Sequence, residues 1–340
     1  MRHRRFLGFH LCHPTSNLKI PNMTNSTSQI VFLFPGQGSQ SVGMGKELFG
    51  NHAVARQTFE EADEALGYRL SQICFEGPEE KLKLTEITQP AILTASVAAW
   101  RVLREKGLKP DFVAGHSLGE YSAYVAAGTL RFADAVRTVR NRGKYMQEAV
   151  PVSVGAMAAI LGISLDQVTQ IAQDAAQGEV CEAANINSPE QIVISGHAGA
   201  VARAIQLATE RGAKKAVSLP VSAPFHCALM QPAQDRLAAD LKALAFSNPS
   251  CPVICNVDAA AITSGEAARD ALIRQVTGAV RWDESVRQLI AKGASLFVEV
   301  GPGRVLWGLM RQIDRSKTCL TVGDEASLAK TLAQVAATAA

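Results

Sequence analysis

The chain contains 340 residues, of which 47% are hydrophobic and 19% charged. This composition is typical of a globular protein with a substantial core, and it excludes a disordered, collagen-like or solenoid chain. The formal charge is +3, but residues 1–22 hold four basic residues and no acidic one, so that residues 23–340 carry −1. Because no basic face interleaved with aromatic residues remains, the sequence argues against nucleic-acid binding.

The sequence has no run that is long and apolar enough for a transmembrane helix, so we expect no membrane partner. Its seven cysteines form no C-x-x-C pair and no metal-ligand spacing with histidine. Their scatter suits a reducing compartment. We therefore expect a bacterial cytoplasmic protein without a metal site.

The basic segment at the start of the chain, residues 1–29, has three interpretations. An arginine-rich transit peptide would explain the absence of acidic residues, whereas a secretory signal needs a longer apolar stretch than Phe6–Cys12. The third interpretation is that translation starts at Met23, just before the first strand-like run. We favour this start and expect residues 1–29 to be disordered or absent from the native protein.

The elements of the body are predicted from apolar patterning and from the positions of glycine and proline. A strand at Ile30–Phe34 ends at Pro35-Gly36, and a polar, helix-prone stretch follows from His52 to Glu80. Next come a buried, alanine-rich helix at Gln89–Glu105, a brief strand at Phe112–Ala114, a glycine-rich turn, a helix to Gly128 and another helix at Ala133–Ala149.

Residues 151–221 have a different pattern. The predicted elements are strands at Gly155–Leu161, Val180–Ala184, Gln191–Ser195 and Lys214–Leu219, and helices at Leu165–Gln177 and Ala198–Gly212. Their order, βαββαβ, is that of a ferredoxin-like module. Strand–helix alternation resumes afterwards, with helices around Gln231–Ala245 and Ala267–Thr277 and strands at Pro252–Asn256 and Ser295–Val300. We therefore predict a large α/β domain, residues 30–150 and 222–340, with an inserted subdomain over 151–221.

The turn Gly115–Gly119 is a G-x-S-x-G sequence directly between a strand and a helix. Its glycines permit a sharp turn that exposes the Ser117 hydroxyl, and the N–H of Leu118 points to where an oxyanion would form. The alternative is a tight turn with an ordinary capping serine. The pattern makes Ser117 the candidate nucleophile.

A serine nucleophile needs a base, and elimination leaves His226. The other histidines lie in the basic leader, in polar surface-like segments or, for His116, in the turn itself. His226 follows two prolines that restrict the backbone, and it is the candidate base; a core histidine with satisfied hydrogen bonds is the alternative. Since no aspartate is placed as a third member, a backbone carbonyl could orient the imidazole.

A second glycine-rich turn, Phe34–Gln40, follows the first strand. Ser41 replaces the third glycine of a dinucleotide loop, and Glu47 follows Lys46 where a phosphate loop needs Ser or Thr. The remaining functional interpretation is a turn that donates backbone N–H groups, with Gln37 as a second oxyanion donor. A plain surface turn is the alternative.

Arg142 is the most informative charged residue. At about 100° per residue, the helix at Ala133–Ala149 carries Arg137, Arg140 and Lys144 on one face and Arg142 in the middle of the opposite, apolar face. A desolvated arginine needs an anion, and its planar fork suits a carboxylate. Two interpretations stay open here: an internal salt bridge to Asp or Glu, and a substrate carboxylate.

Together these segments closely resemble malonyl-CoA:acyl carrier protein transacylases, the stand-alone acyltransferases of type II fatty acid synthesis. The resemblance runs from Ile30 to beyond Gly303 and covers FPGQGSQ (34–40), GHSLGEYSA (115–123), RGKYMQEAVP (142–151), NINSPEQIVISG (185–196), PVSAPFHCALM (220–230), NVDA (256–259) and VEVGPGRVL (298–306). It implies an α/β-hydrolase-like large domain with a ferredoxin-like subdomain, which agrees with the predicted elements.

The resemblance also implies roles for matching residues. Ser117 would be the nucleophile and His226 its base, and Gln37 and Leu118 would form the oxyanion hole. Arg142 would pair with the malonyl carboxylate, and the main-chain carbonyl of Gln275 would orient the histidine. The other implied substrate-binding residues are Asn185, in the thioester pocket, Phe225, whose position is associated with the choice of extender unit, and His116.

The implied reaction is a ping-pong transfer of malonyl from malonyl-CoA through Ser117 to holo-acyl carrier protein. It needs no cofactor, because malonyl-CoA is a substrate. Acyl carrier proteins are acidic, so a basic docking patch is expected. The candidates are Arg137, Arg140 and Lys144 on one helix face, or Lys214-Lys215.

Three other functions are alternatives to this transfer. A serine hydrolase, either a thioesterase or a patatin-like lipase, shares the elbow and a related fold, but Arg142 on a buried face argues against it. A non-catalytic scaffold would not need to retain Ser117, His226 and Arg142 together. An acyltransferase of polyketide synthesis uses the same motifs with a different carrier, so the sequence leaves that alternative open.

Overall fold

The computed structural model describes residues 29–221 and 223–339, and the expectations for residues 1–28 lie outside this part. Its strands, in chain order, are β1 (Gln29–Phe34), β2 (Phe112–Gly115), β3 (Gly155–Leu161), β4 (Cys181–Ser188), β5 (Gln191–His197), β6 (Lys215–Ser218), β7 (Val253–Ile254), β8 (Ala261–Ile262), β9 (Ala294–Val300) and β10 (Thr318–Val322).

The helices of the same part are, in chain order, α1 (Lys46–Asn51), α2 (Ala53–Leu66), α3 (Leu70–Glu76), α4 (Glu79–Leu82), α5 (Thr85–Glu105), α6 (Gly119–Ala126), α7 (Phe132–Glu148), α8 (Leu165–Ala176), α9 (Ala198–Glu210), α10 (Gln231–Lys242), α11 (Gly265–Arg274), α12 (Trp282–Ala291), α13 (Val305–Ile313) and α14 (Glu325–Ala339).

The larger sheet has the strand order β10-β9-β1-β2-β7-β8, and only the pair β7–β8 is antiparallel. Strand β1 lies inside the sheet because its sequence is apolar on both faces. Phe32 packs into one hydrophobic cluster and Val31 into another, as expected for a parallel strand covered on both sides. Phe34 at the end of β1 pairs with Gly115 at the end of β2, so the two glycine-rich turns lie side by side.

The smaller sheet is antiparallel, with the order β4-β5-β3-β6. Helices α8 and α9 pack on one face of it through an apolar cluster that includes Val168, Ile194 and Val201. This order and the βαββαβ succession confirm the ferredoxin-like arrangement that the sequence predicts. Strand β4 also contacts the larger unit, since the N–H of Ile186 donates to the carbonyl of Val280 at 2.9 Å.

Several predicted boundaries were wrong. The helix-prone stretch from His52 to Glu80 contains α2, α3 and the start of α4, because Gly67 takes a left-handed conformation (φ 73°) and Gly77 precedes a proline. Helix α5 begins four residues before the predicted start, at Thr85. Strand β7 covers only Val253–Ile254, because the chain turns at the next residues towards the site described below. No counterpart was predicted for helices α1 and α12 to α14 or for strands β8 and β10.

Candidate active site

Ser117 lies in the sharp turn between β2 and α6, and its φ of 50° lies in the left-handed region. The glycines on either side allow this turn, since a Cβ on Gly119 would overlap the carbonyl oxygen of Phe34 and one on Gly115 would overlap the carbonyl of Gly119. The N–H of His116 donates to the carbonyl of Phe34 at 3.0 Å. The turn is therefore fixed against the end of β1.

His226 lies beside this serine, 109 residues further along the chain, with 2.7 Å between its Nε2 and the Oγ of Ser117. Its Nδ1 is 2.9 Å from the main-chain carbonyl of Gln275. Burial, followed by the positive charge of Arg142, lowers the pKa of the His226 imidazole from 6.5 to about 3. A neutral imidazole that donates through Nδ1–H to the carbonyl presents its Nε2 lone pair to the serine, as a general base requires.

Arg142 is buried, with 1% of its surface exposed, on the inner face of α7. Its Nη1 donates to the Oε1 of Gln89 at 2.8 Å, and its Nη2 donates to the Oε1 of Gln275 at 2.9 Å and to the Oγ of Ser117 at 3.1 Å. No carboxylate of residues 29–221 and 223–339 forms an ion pair with it. The internal salt bridge considered from the sequence is therefore absent from the described part, and the guanidinium faces the serine.

A cavity of about 530 Å³ surrounds these groups. Gln37 and Leu118 both line it. Among the described residues, no backbone or side-chain group accepts a hydrogen bond from the backbone N–H of Gln37 or of Leu118. The cavity is also lined by the other predicted substrate-binding residues, Asn185, Phe225 and His116. The structure thus brings the predicted site residues to one cavity, except that the fully buried Gln275 does not line it and instead contacts His226 and Arg142. The individual roles of these residues stay predictions.

Two of these lining residues have distinct surroundings. The Oδ1 of Asn185 is buried without a hydrogen-bond partner among the described residues, so it is an acceptor available to a bound molecule. The Nε2 of His116 lies 2.8 Å from the Oδ1 of Asn187, and its ring stands 5.5 Å from the ring of Trp282. Burial lowers the pKa of His116, which keeps this ring neutral as well.

Comparison with known proteins places the chain in a family. The acyl transferase domain family matches residues 31–333. The chain belongs to the acyl transferase family. Among curated relatives of this acyltransferase, a malonyl CoA-acyl carrier protein transacylase of Salmonella typhimurium is 49% identical over 308 residues, covering 90% of this chain and 100% of the relative. A protein of the same description from Bacillus subtilis is 49% identical over 298 residues, 87% of this chain and 94% of the relative.

Solved structures agree with the fold of this acyltransferase. An acyl carrier protein S-malonyltransferase of Vibrio cholerae has a TM-score of 0.88 at 50% identity, covering 89% of this chain and 100% of that one. A malonyl-transacylase solved in complex with a type II polyketide synthase acyl-carrier protein has a TM-score of 0.88 at 47% identity, with 90% and 100% coverage. The α/β-hydrolase-like large domain with a ferredoxin-like subdomain is thereby confirmed.

Three polar residues that contact the predicted groups have no role in the sequence-based prediction of the acyltransferase site. Gln89 accepts from Arg142, and Asn256 and Glu120 hydrogen-bond around the turn of Ser117. Two of them lie inside the motifs GHSLGEYSA and NVDA, so motif membership was an available signal. Gln89 lies on a mostly buried helix, where a polar side chain among alanines was the only signal.

Within the described residues of the acyltransferase, no helix is long and apolar enough to cross a membrane. In the same part of the chain, no group of three or more His, Cys, Asp or Glu side chains has an arrangement that could hold a metal ion.

Proposed function

We propose that this acyltransferase transfers the malonyl group from malonyl-CoA to the pantetheine thiol of acyl carrier protein. The observation that carries the proposal is Arg142, a buried guanidinium without a carboxylate partner among the described residues, 3.1 Å from the hydroxyl of Ser117. A cation placed there selects an acyl group that ends in a carboxylate. The names of the relatives support the same substrate and carrier.

In the first half-reaction, the Oγ of Ser117 attacks the thioester carbonyl while the Nε2 of His226 takes its proton. The tetrahedral oxyanion accepts hydrogen bonds from the N–H groups of Gln37 and Leu118. Its collapse breaks the C–S bond, and His226 returns the proton to the departing CoA thiolate. The product is the malonyl ester of Ser117 with free CoA.

In the second half-reaction, the pantetheine thiol of the carrier gives its proton to His226 and attacks the ester carbonyl. The same two N–H groups stabilise the second oxyanion, and the C–O bond to Ser117 breaks as the proton returns to its Oγ. The main-chain carbonyl of Gln275 holds the imidazole in the required tautomer throughout. No cofactor takes part in this scheme, since the activated acyl group arrives with the substrate.

Other lining residues act on the bound substrate in this proposal. Asn185 offers its unpartnered Oδ1 to an amide N–H of the pantetheine arm. Phe225, 9% exposed, packs beside the acyl group and limits branching next to the carbonyl. His116 stays neutral and shapes the wall of the cavity near the thioester.

Docking of the carrier remains a prediction. Three of the sequence-based candidates form ion pairs: Arg137 with the buried Asp134, and Lys144 and Lys214 with exposed glutamates. Arg140 and Lys215 complete the two patches. Lys83, which the sequence reasoning missed, lines the catalytic cavity and has a side chain that is 61% exposed and pairs with Glu79 at 2.8 Å. It therefore lies where a phosphate of CoA or of the phosphopantetheine arm approaches.

The pathway has two candidates. Supply of the extender unit for fatty acid synthesis follows from the resemblance of the motifs and from the curated relatives. The relative solved with a polyketide acyl-carrier protein makes supply of a polyketide synthase the second candidate. For either, we propose a cytoplasmic enzyme with residues 30–150 and 222–340 as the catalytic domain and 151–221 as the subdomain.

A direct test is to incubate the protein with malonyl-CoA, digest it and weigh the peptide that contains Ser117. The proposal expects a malonyl adduct that holo-acyl carrier protein discharges and water discharges slowly. Ser117→Ala serves as the control and should carry no adduct. Rapid loss of malonyl without a carrier would show a hydrolase, and absence of any adduct would refute the assignment of Ser117.

A further inference from the structure

Glu120 is a fully buried carboxyl group in the first turn of α6 that the proposed reaction does not use. Its Oε2 accepts a hydrogen bond from the Nε2 of Gln275 at 2.7 Å and another from the backbone N–H of Asn256 at 3.0 Å. Burial raises its pKa from 4.5 to about 7, and these hydrogen bonds oppose that rise. Because burial of a carboxyl group is unfavourable without hydrogen-bond partners, these two contacts stabilise it.

The first contact determines which way the side-chain amide of Gln275 points. Its Nε2 donates both to Glu120 and to the carbonyl of Ser117, the latter at 2.9 Å, while its Oε1 accepts from Arg142. An amide rotated by half a turn would set its oxygen against two acceptors and its NH2 against a guanidinium that can only donate. The acceptor oxygen of Glu120 therefore favours the one orientation that holds Arg142.

The second contact fixes Asn256, which clamps the turn of the nucleophile. The Oδ1 of Asn256 accepts from the N–H of Ser117 at 2.7 Å, and its Nδ2 donates to the carbonyl of Gly115 at 2.7 Å. Since the side chain of Gln275 also donates a hydrogen bond to the carbonyl of Ser117, both the N–H and the carbonyl of Ser117 are hydrogen-bonded. Since the φ of Ser117 lies in the left-handed region, these contacts maintain a conformation that is unfavourable by itself.

Glu120 also lies close enough to Arg142 for their charges to attract, although the two groups form no ion pair. The amide of Gln275 lies between them in the hydrogen-bond chain. A carboxylate in direct contact would occupy the guanidinium and compete with a substrate carboxylate. Because the neutral amide of Gln275 lies between the two groups, the guanidinium of Arg142 is oriented and can still bind an anion.

We propose that Glu120 is a positioning residue: its Oε2 orients Gln275 and Asn256, and through them the guanidinium of Arg142 and the backbone of Ser117. The inference rests on the proposed malonyl transfer, because it concerns the groups that recognise the acyl carboxylate. It predicts that the loss of this acceptor lowers the preference for malonyl over acetyl, and not only the stability of the fold.

The test compares two substitutions of Glu120 that differ in the acceptor. Glu120→Met keeps the length of the side chain without an acceptor oxygen, whereas Glu120→Gln retains one oxygen that can take the place of Oε2. We expect Glu120→Met to lower the ratio of kcat/KM for malonyl-CoA to that for acetyl-CoA by about tenfold, the effect of one hydrogen bond to a charged group. Glu120→Gln should keep the ratio within about threefold of wild type.

Glu299 provides the matched control. It is equally buried, in β9, and its oxygens accept from the backbone N–H groups of Leu306 and Trp307 at 3.0 and 2.8 Å, with no contact to the site. Glu299→Met should lower the melting temperature and leave the malonyl-to-acetyl ratio unchanged. The proposal is overturned if Glu120→Met keeps the wild-type ratio, or if Glu120→Gln loses as much of the ratio as Glu120→Met.

If Glu120→Met does not fold, Glu120→Asp takes its place, because it withdraws the carboxylate by one methylene and should lower the ratio in the same way. A wild-type ratio in folded Glu120→Asp overturns the proposal too. The failure of malonyl transfer is seen separately, as the absence of an adduct on wild-type Ser117. If no malonyl adduct forms, the role of Glu120 is tested by the rate at which a fluorophosphonate probe labels Ser117. The inference requires slower labelling in the Glu120 variant than in Glu299→Met.

Discussion

Replacement of Arg142 by alanine removes the group on which the substrate preference depends. In the acyl-enzyme, the Oγ of Ser117 becomes an ester oxygen, so the Nη2 hydrogen now directed at the hydroxyl is free for the malonyl carboxylate. Nη1 uses one of its two hydrogens for Gln89, which leaves the other for the same carboxylate. The alanine variant therefore loses two charge-assisted hydrogen bonds to the substrate.

The magnitude follows from these two bonds. Each hydrogen bond to a charged group is worth about 1.5 kcal/mol or more, so the pair contributes about 3 kcal/mol, or roughly 150-fold in the rate of acylation by malonyl-CoA. Acetyl-CoA has no carboxylate, so it forms no ion pair with the guanidinium of Arg142. Burial of this guanidinium is unfavourable without an anion, and it lowers the pKa of Arg142. We expect acylation by acetyl-CoA to stay constant or rise, so the preference changes by about two orders of magnitude.

The assay measures acylation of Ser117 by each thioester with intact-protein mass spectrometry after rapid quenching, without carrier. Arg137→Ala is the matched control, because this arginine lies on the same helix with its side chain 52% exposed and outside the cavity. It should behave as wild type in this half-reaction. If Arg142→Ala keeps the wild-type preference for malonyl, the guanidinium does not bind the acyl carboxylate and the reasoning is refuted.

Three further predictions concern the base, the turn and the cavity. His226→Gln should gain stability relative to wild type as the pH falls below 6.5, by about 1.4 kcal/mol per pH unit, because the unfolded wild type binds a proton that the folded protein, with a pKa of about 3, does not. Gly119→Ala should lower the free energy of unfolding by about 1–3 kcal/mol and abolish acylation, because its Cβ would overlap the carbonyl of Phe34. Lys83→Ala should raise KM about threefold for malonyl-CoA and leave it unchanged for malonyl-N-acetylcysteamine, which lacks phosphate.

The three measurements are as follows, and the last two have control variants in the chain. Urea unfolding at pH 7.5 and 5.5 measures the first, and a constant difference between His226→Gln and wild type contradicts it. Gly308→Ala is the control for the turn, since a Cβ there meets nothing within 4 Å, and both glycine variants are followed by unfolding and acylation. Lys81→Ala is the control for Lys83, because Lys81 is exposed and does not line the cavity. An equal rise of KM for both thioesters would contradict a contact with phosphate.

Local patterns in the sequence were sufficient for the parts of the fold that depend on neighbouring residues. The apolar run at Ile30–Phe34 predicts a strand, and the βαββαβ succession predicts the ferredoxin-like module. The same holds for Ser117, because the two glycines and the flanking elements lie within a few residues of it. Boundaries at Gly67 and Gly77 were missed because the polar stretch around them is helix-prone throughout, and only the glycine conformation divides it.

The sequence by itself determined which residues are candidates for chemistry: a serine in a sharp turn between two glycines, a histidine left by elimination as the base and an arginine on the apolar face of a helix. Only the tertiary structure decided their partners. His226 is 109 residues from Ser117, and the side chain of Gln275, 133 residues from Arg142, takes the place of the acidic partner considered for that arginine. The physical reason is that amide and carboxyl groups can form hydrogen bonds with many different partners. The order of strands in the sheet decides which groups, distant in the sequence, come into contact.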